Sequence, residues 1–274
     1  MSHLHRFFSS LPEEGKASFL LPPEEAHHAL RVVRLRDGDT VSVFDGRGGE
    51  VEGRLRPCGK KEAEIEIVRR MQHPEPAVKM TVAVAWLHRD KAHEDIVRRA
   101  VELGMWRIIF WRADHSQKKC AAADRWEKIA LEACKQSGRV FIPEIELQDS
   151  LDALFETVPR PVIHALPAAD PLQKPEIPVH DQVTMLIGPE GDFSDREVAL
   201  AQEQGAIQIH MGNCIFKSEV AAAVAMTLLA AQVGELGRHF SIVSGEALPG
   251  RSYENSFSLP VFPARTGSTG CADA

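Results

Sequence analysis

Two short loops carry the residues best suited to chemistry in this 274-residue chain. The first, Ile187-Gly188-Pro189-Glu190-Gly191-Asp192-Phe193-Ser194, follows an apolar run and enters the capping-box pattern Ser194-Asp195-Arg196-Glu197. Gly188 and Gly191 let the backbone come close to a ligand, and Pro189 stiffens the turn. The second, Met211-Gly212-Asn213-Cys214-Ile215-Phe216-Lys217-Ser218-Glu219, again reads as strand, loop and helix start, with Ser218 expected to cap that helix. Neither is a phosphate loop: no Gly-Lys-Ser/Thr follows, and the spacing is not G-x-G-x-x-G. Alone, a Gly-x-x-Gly stretch is equally compatible with a plain turn. Two such loops after successive strands of one sheet can form a single pocket, because open α/β sheets bind ligands at the carboxyl ends of their strands.

The elements that must hold these loops follow from periodicity. Thr81–Leu87, Arg107–Trp111, Pro161–Leu166, Gln182–Ile187 and Ala206–His210 are short apolar runs, and helical patterns over 94–103, 124–137, 194–205 and 219–233 separate them. Buried strands alternating with helices predict a parallel α/β sheet covered on both faces. Residues 1–73 read differently. Thr40–Phe44 and Glu50–Leu55 flank the turn Asp45-Gly-Arg-Gly-Gly49, Ala63–Val68 alternates polar and apolar, and one short helix spans Pro23–Val33. That pattern predicts a small β-barrel. His73-Pro-Glu-Pro76 is a stiff linker. The division expected is 1–73, 77–240 and a tail, 241–274, whose 34 residues include thirteen Gly, Pro or Ser and hold no core.

Net charge is −7, from 32 basic and 39 acidic residues, which argues against a chain held to nucleic acid by bulk charge. The first 73 residues balance 12 basic against 12 acidic side chains, so a local basic face belongs there. Five scattered cysteines without a C-x-x-C, and twelve histidines without H-E-x-x-H, predict neither a disulfide framework nor a metal site, and point to a reducing, cytoplasmic setting. The N-terminus lacks the apolar core of a signal peptide. The longest nearly apolar run, Val220–Val233, falls short of the roughly 20 residues that cross a bilayer.

The ordered motifs resemble the RsmE family of 16S ribosomal RNA uridine-N3 methyltransferases, in the SPOUT superfamily. Ile187–Ser194 matches the family's Ile-Gly-Pro-Glu-Gly-Gly-Phe-Ser except at Asp192, and Glu102-Leu-Gly-Met105 is similar to its Glu-Leu-Gly-Val. Arg125-Trp126 and Glu132-Ala-Cys-Lys-Gln-Ser-Gly-Arg139 match a further stretch, as do His27-His28, Arg31-Val-Val-Arg-Leu35 and Gly38-Asp39 in the first segment. The likeness spans about residues 4–236. It departs at Cys214 and Lys217, where the family has arginine, at Val220, where it has threonine, and at Asp114-His115-Ser116, where it has Glu-Arg-Ser. Lysine keeps the charge but loses the planar fork.

The resemblance implies a PUA-like barrel that grips RNA, then an α/β methyltransferase domain with a C-terminal trefoil knot, forming a homodimer through the knot region. It implies S-adenosylmethionine as cofactor, held by Leu166, Pro167, Ile187, Gly188, Pro189, Glu190, Gly191, Met211, Gly212, Ile215, Phe216 and Lys217. The implied reaction methylates uridine N3 in 16S rRNA of the small ribosomal subunit. Arg139 and Lys217 are expected to stabilise charge on the uracil, and Glu219 or Glu190 to help remove its proton. Arg6, Arg31, Arg34, Arg36, Arg54, Arg56, Lys60 and Lys61 are the candidate RNA contacts. Two other readings remain: a SPOUT enzyme acting on another nucleotide, for example a ribose 2′-hydroxyl, and a non-catalytic RNA-binding protein with a vestigial pocket.

Overall fold

The structure, a computed structural model, describes residues 4–59, 61–116, 123–170, 175–212 and 214–236. Lys60 and the tail 241–274 lie outside the described residues.

The first segment builds β1 (His5–Phe8), β2 (Ser18–Leu20), α1 (Pro23–His27) continuing into a π-helical turn (His28–Val33), β3 (Thr40–Phe44), β4 (Gly49–Pro57) and β5 (Ala63–Gln72). Their sheet runs β1-β3-β4-β5-β2, with β1 parallel to β3 and the other pairs antiparallel. The Asp45 carboxylate accepts the N–H groups of Arg47 and Gly49, which closes the β3–β4 turn. Alternation buries Val41, Val43, Val51, Leu55 and Ile65 against Phe7 and Leu21. β1 and β2 were not anticipated, since three or four residues are too few to show a period.

The second segment alternates β6 (Lys79–Ala85), α2 (Asp90–Glu102), β7 (Arg107–Trp111), α3 (Ala123–Ser137), β8 (Glu144–Gln148), α4 (Leu151–Thr157), β9 (Val162–Ala165), β10 (Gln182–Ile187), α5 (Asp195–Glu203), β11 (Ile207–Ile209) and α6 (Ser218–Gln232). All six strands are parallel, in the order β11-β9-β10-β6-β7-β8. Central β6 and β10 are apolar on both faces, as strands covered twice must be. One face packs on α2, α3 and α6 through Ile96, Trp126, Ala130 and Met226; the other packs on α4 and α5 through Leu154, Phe155 and Ala201. Trp126 of the Arg-Trp motif is core, its ring 4.5 Å from that of Phe110. Burying a side chain of this size contributes about 2–3 kcal/mol. β8 and α4 were also missed. Glu144-Ile-Glu-Leu-Gln148 is a half-polar edge strand, and α4 has only seven residues, started by a Ser150 side chain that accepts from Ala153 N–H.

The two sheets meet where α3 approaches β1. Lys135 pairs with Glu25 of α1, Gly48 N–H donates to Val140 O, and Ile142 N–H donates to Gly46 O. Burial works against the Lys135 charge, but pairing with Glu25 and Glu132 outweighs it and raises its pKa.

Candidate functional site

The carboxyl ends of β11, β9, β10 and β6 share one edge of the parallel sheet, so the loops leaving them converge. Together they line a cleft of about 1150 Å³. Its walls come from Leu166 and Pro167 after β9, Gly188–Phe193 after β10, Met211, Gly212 and Cys214–Lys217 after β11, His88 and Arg89 after β6, and His115 after β7. Every residue that the resemblance assigned to the cofactor lines this cleft.

Local chemistry explains the loop shapes. A Cβ on Gly188 would sit 2.6 Å from Phe193 Cε2, so only glycine lets that ring fold back against Trp111 and His164. Asp192, where the family has glycine, adopts φ +60, and its own Oδ1 accepts from Phe193 N–H. Asp tolerates this left-handed conformation because its short carboxylate bonds the local backbone. Gly212 sits at φ +134, with nothing among the described residues within 4 Å of a Cβ built there. Ser194 and Glu197 form the expected capping box of α5. Ser218 is the first residue of α6 rather than its cap: the N-cap is Lys217, with no side-chain cap bond. Lys217 therefore stands exposed before a helix N-terminus.

Hydrogen bonds tie the loops together. His88 N–H donates to Glu190 Oε1 (2.9 Å), and Arg89 donates to Glu219 Oε1 (2.7 Å). Asp114 takes Arg196 and the Ser194 hydroxyl, its N–H donates to Glu197, and its carboxyl is held below the usual range chiefly by the Arg196 guanidinium. His115 Nδ1 lies 3.2 Å from Gly191 O and 3.1 Å from Asp192 O. Beneath the loop, buried His164 touches Phe193, has no partner for either ring nitrogen among the described residues, and is pushed by burial down to about 4.

The remaining candidates separate. Lys217 and Glu219 reach the cleft, the latter tied to Arg89. Arg139 does not line it. Its guanidinium donates to Gly104 O at the junction of the two sheets, and burial lowers its pKa. Arg6 is likewise no free phosphate contact: 14% exposed, it pairs with Glu50, lies over the Phe44 ring and donates to Arg139 O. Arg34, Arg36, Arg54 and Lys61 are exposed, as is Arg31 at the π-helical turn. Arg56 is exposed but paired with Glu66. His88, Arg89 and His210 were not singled out beforehand. The available signal was their position just past apolar parallel strands.

A doubly covered parallel sheet whose strand-end loops make one cleft, preceded by a small β domain, defines an α/β protein with a ligand site at its strand ends. The chain belongs to the RNA methyltransferase family: that family's domain model matches residues 73–230, and the RNA methyltransferase PUA domain matches 21–68. Its relatives include the ribosomal RNA small subunit methyltransferase E of Mesomycoplasma hyopneumoniae (29% identical over 82% of this chain and 98% of that protein) and of Rickettsia conorii (28%, 84% and 94%). Among solved structures, that of ribosomal RNA small subunit methyltransferase E from Neisseria gonorrhoeae bound to S-adenosyl methionine matches with TM-score 0.76 and 26% identity, over 86% of this chain and all of that one. A Legionella pneumophila methyltransferase in complex with SAM matches with TM-score 0.71 and 25% identity, over 83% and 97%.

Proposed function

We propose that this chain methylates N3 of a uridine in 16S rRNA, with S-adenosylmethionine as donor. The observation that carries the reading is the cleft, because the family-matched loops close on one space rather than on each other. The residues fit the cofactor. The volume accommodates a ligand of that size. Leu166, Ile187, Met211 and Phe216 offer apolar walls, Glu190 and Glu219 bring negative charge that suits a sulfonium, and Gly212, without a side chain, leaves room for close approach.

When bound, S-adenosylmethionine supplies a methyl group on a positively charged sulfur. The chain's own task is to hold N3 in line with that methyl, which contributes roughly 7–11 kcal/mol when geometry is well set. The uracil oxygens gain negative charge as N3 loses its proton. Lys217 and the N-terminus of α6 stand at the cleft to stabilise it. Arg139 acts indirectly, by fixing the Gly104 turn and the junction. The target base must leave its stack to enter.

Arg31, Arg34, Arg36 and Arg54 supply the RNA grip. Arg56 joins them by exchanging Glu66 for phosphate, since an exposed pair is weak. Ile215 at the cleft (92% exposed) and, further along α6, Val220 and Leu228 leave apolar side chains in the open for a second copy to cover, which supports the homodimer. After edge strand β11 the chain returns as α6 to pack on β6, β10 and α2, a return that agrees with the trefoil knot the resemblance implies. No described helix is long and apolar enough to cross a membrane, and an rRNA substrate places the work in the cytoplasm.

Incubating 30S subunits from a strain lacking the gene with this protein and labelled S-adenosylmethionine, then analysing nucleosides by mass spectrometry, tests the proposal. The expected product is 3-methyluridine. A 2′-O-methyl nucleoside would move the chemistry to ribose, and RNA binding without any product would leave only the RNA-binding module.

A further inference from the structure

The proposed reaction needs a group that removes the N3 proton, and the three cleft carboxylates are each engaged, Glu190 by His88 N–H, Asp192 by Phe193 N–H and Glu219 by Arg89. From the hydrogen-bond geometry of one further side chain we infer that His115 is the general base. This rests on the uridine-N3 reading. Its Nδ1 sits 3.2 Å from Gly191 O and 3.1 Å from Asp192 O. Carbonyl oxygens only accept, so Nδ1 must carry the hydrogen. In the neutral ring Nε2 is then a lone pair, and it is not bonded to any described residue. The ring is exposed and lines the cleft. The same contact that fixes the tautomer also fixes the ring: Gly191 has no Cβ, and one built there would be 3.2 Å from His115 Cβ. The backbone of the cofactor loop thus orients a base over the cofactor site, as a carboxylate does for a histidine base elsewhere.

The step balances. Nε2 takes the proton from N3, giving imidazolium. The electron pair left on N3 forms the bond to the methyl carbon, whose bond to the sulfonium sulfur breaks with its pair staying on sulfur, giving a neutral thioether. The imidazolium returns its proton to water. Charged and titratable groups line the same cleft, His88 and His210 among them. Asp114 is on the loop that carries His115 and is neutralised by Arg196 of α5; Asp192 and Glu190 lie on the β10 loop. Arg89 and Lys217 bring positive charge from the β6 and β11 loops.

The test compares His115→Asn and His115→Ala with the wild-type chain. Asparagine places an amide N–H where Nδ1 was, keeping the clamp on the loop while deleting Nε2. Single-turnover methylation of 30S subunits should fall about 100-fold or more in both variants, within the range of general-base removal. The acid limb of the wild-type pH profile should disappear, and calorimetric S-adenosylmethionine affinity in His115→Asn should stay within threefold. Nitrogen-15 shifts of the labelled wild-type histidine should report the Nδ1–H tautomer. A His115→Asn variant that keeps the wild-type rate and acid limb, or loses cofactor binding, overturns the base and leaves only a loop clamp; so does an Nε2–H tautomer. A wild-type chain that binds no cofactor and makes no 3-methyluridine overturns the underlying reading and the base with it, a result distinct from failure of the base alone.

Discussion

The junction between the two sheets and the cleft at the strand ends are both built from loops and charged side chains, but they end differently. At the junction the charges close on one another. Glu50 accepts from Arg6 and from the Ser42 hydroxyl and pairs with His73, while Lys135 meets Glu25. At the cleft the outward-facing groups are left without such closure: Lys217 is exposed and Ile215 stands almost wholly in the open. Closed networks at a buried boundary fix one arrangement. Open groups at a strand end are what a ligand would complete. A family-matched position is thereby reassigned, since Arg139, at the end of the stretch Glu132–Arg139, serves the junction through Gly104 O.

That contrast can be broken or sharpened by substitution. Glu50→Ala strips the partner from Arg6 and His73 in a buried place. It should cost about 3–5 kcal/mol, read as a lower denaturation midpoint. A loss under 1 kcal/mol would mean the junction is not a closed network. Under the cleft, His164 titrates near 4 when folded against 6.5 ordinarily, so the unfolded chain binds its proton first. Stability is therefore complete above about pH 6.5, falls on the order of 3 kcal/mol as pH drops toward 4, and changes no further from this group below that. His164→Leu should flatten that slope in thermal unfolding at stepped pH, and an unchanged slope would contradict the burial argument. Lys217→Ala should lower single-turnover methylation about 100-fold, as loss of one preorganised donor does, with the melting temperature little moved. Smallest of all, Arg56→Ala should change stability by less than about 0.5 kcal/mol. Its effect should appear instead as a shallower salt dependence of RNA binding.

Much of the second sheet was legible because its strands are continuous apolar runs bounded by glycine, so β7 and β10 fall where the sequence places them. The cofactor loops were legible for the same reason, a turn after an apolar strand. Arg139 and Arg6 were misplaced because a charged residue in a family motif looks alike whether it faces a ligand or a carbonyl; only the fold shows Gly104 O and Glu50 beside them. His115 read as a mere departure, since its tautomer depends on two carbonyls 76 and 77 residues away in the chain.

The central claim, that the strand-end cleft holds S-adenosylmethionine, is tested most directly by calorimetric titration of the cofactor into the full chain and into Gly188→Ala, where a Cβ would lie 2.6 Å from Phe193. The account predicts saturable binding at one site per chain, weakened at least tenfold in the variant while its fold, read by circular dichroism, is unchanged. No binding heat in the wild-type chain at any temperature tried, or equal affinity in both proteins, would contradict it.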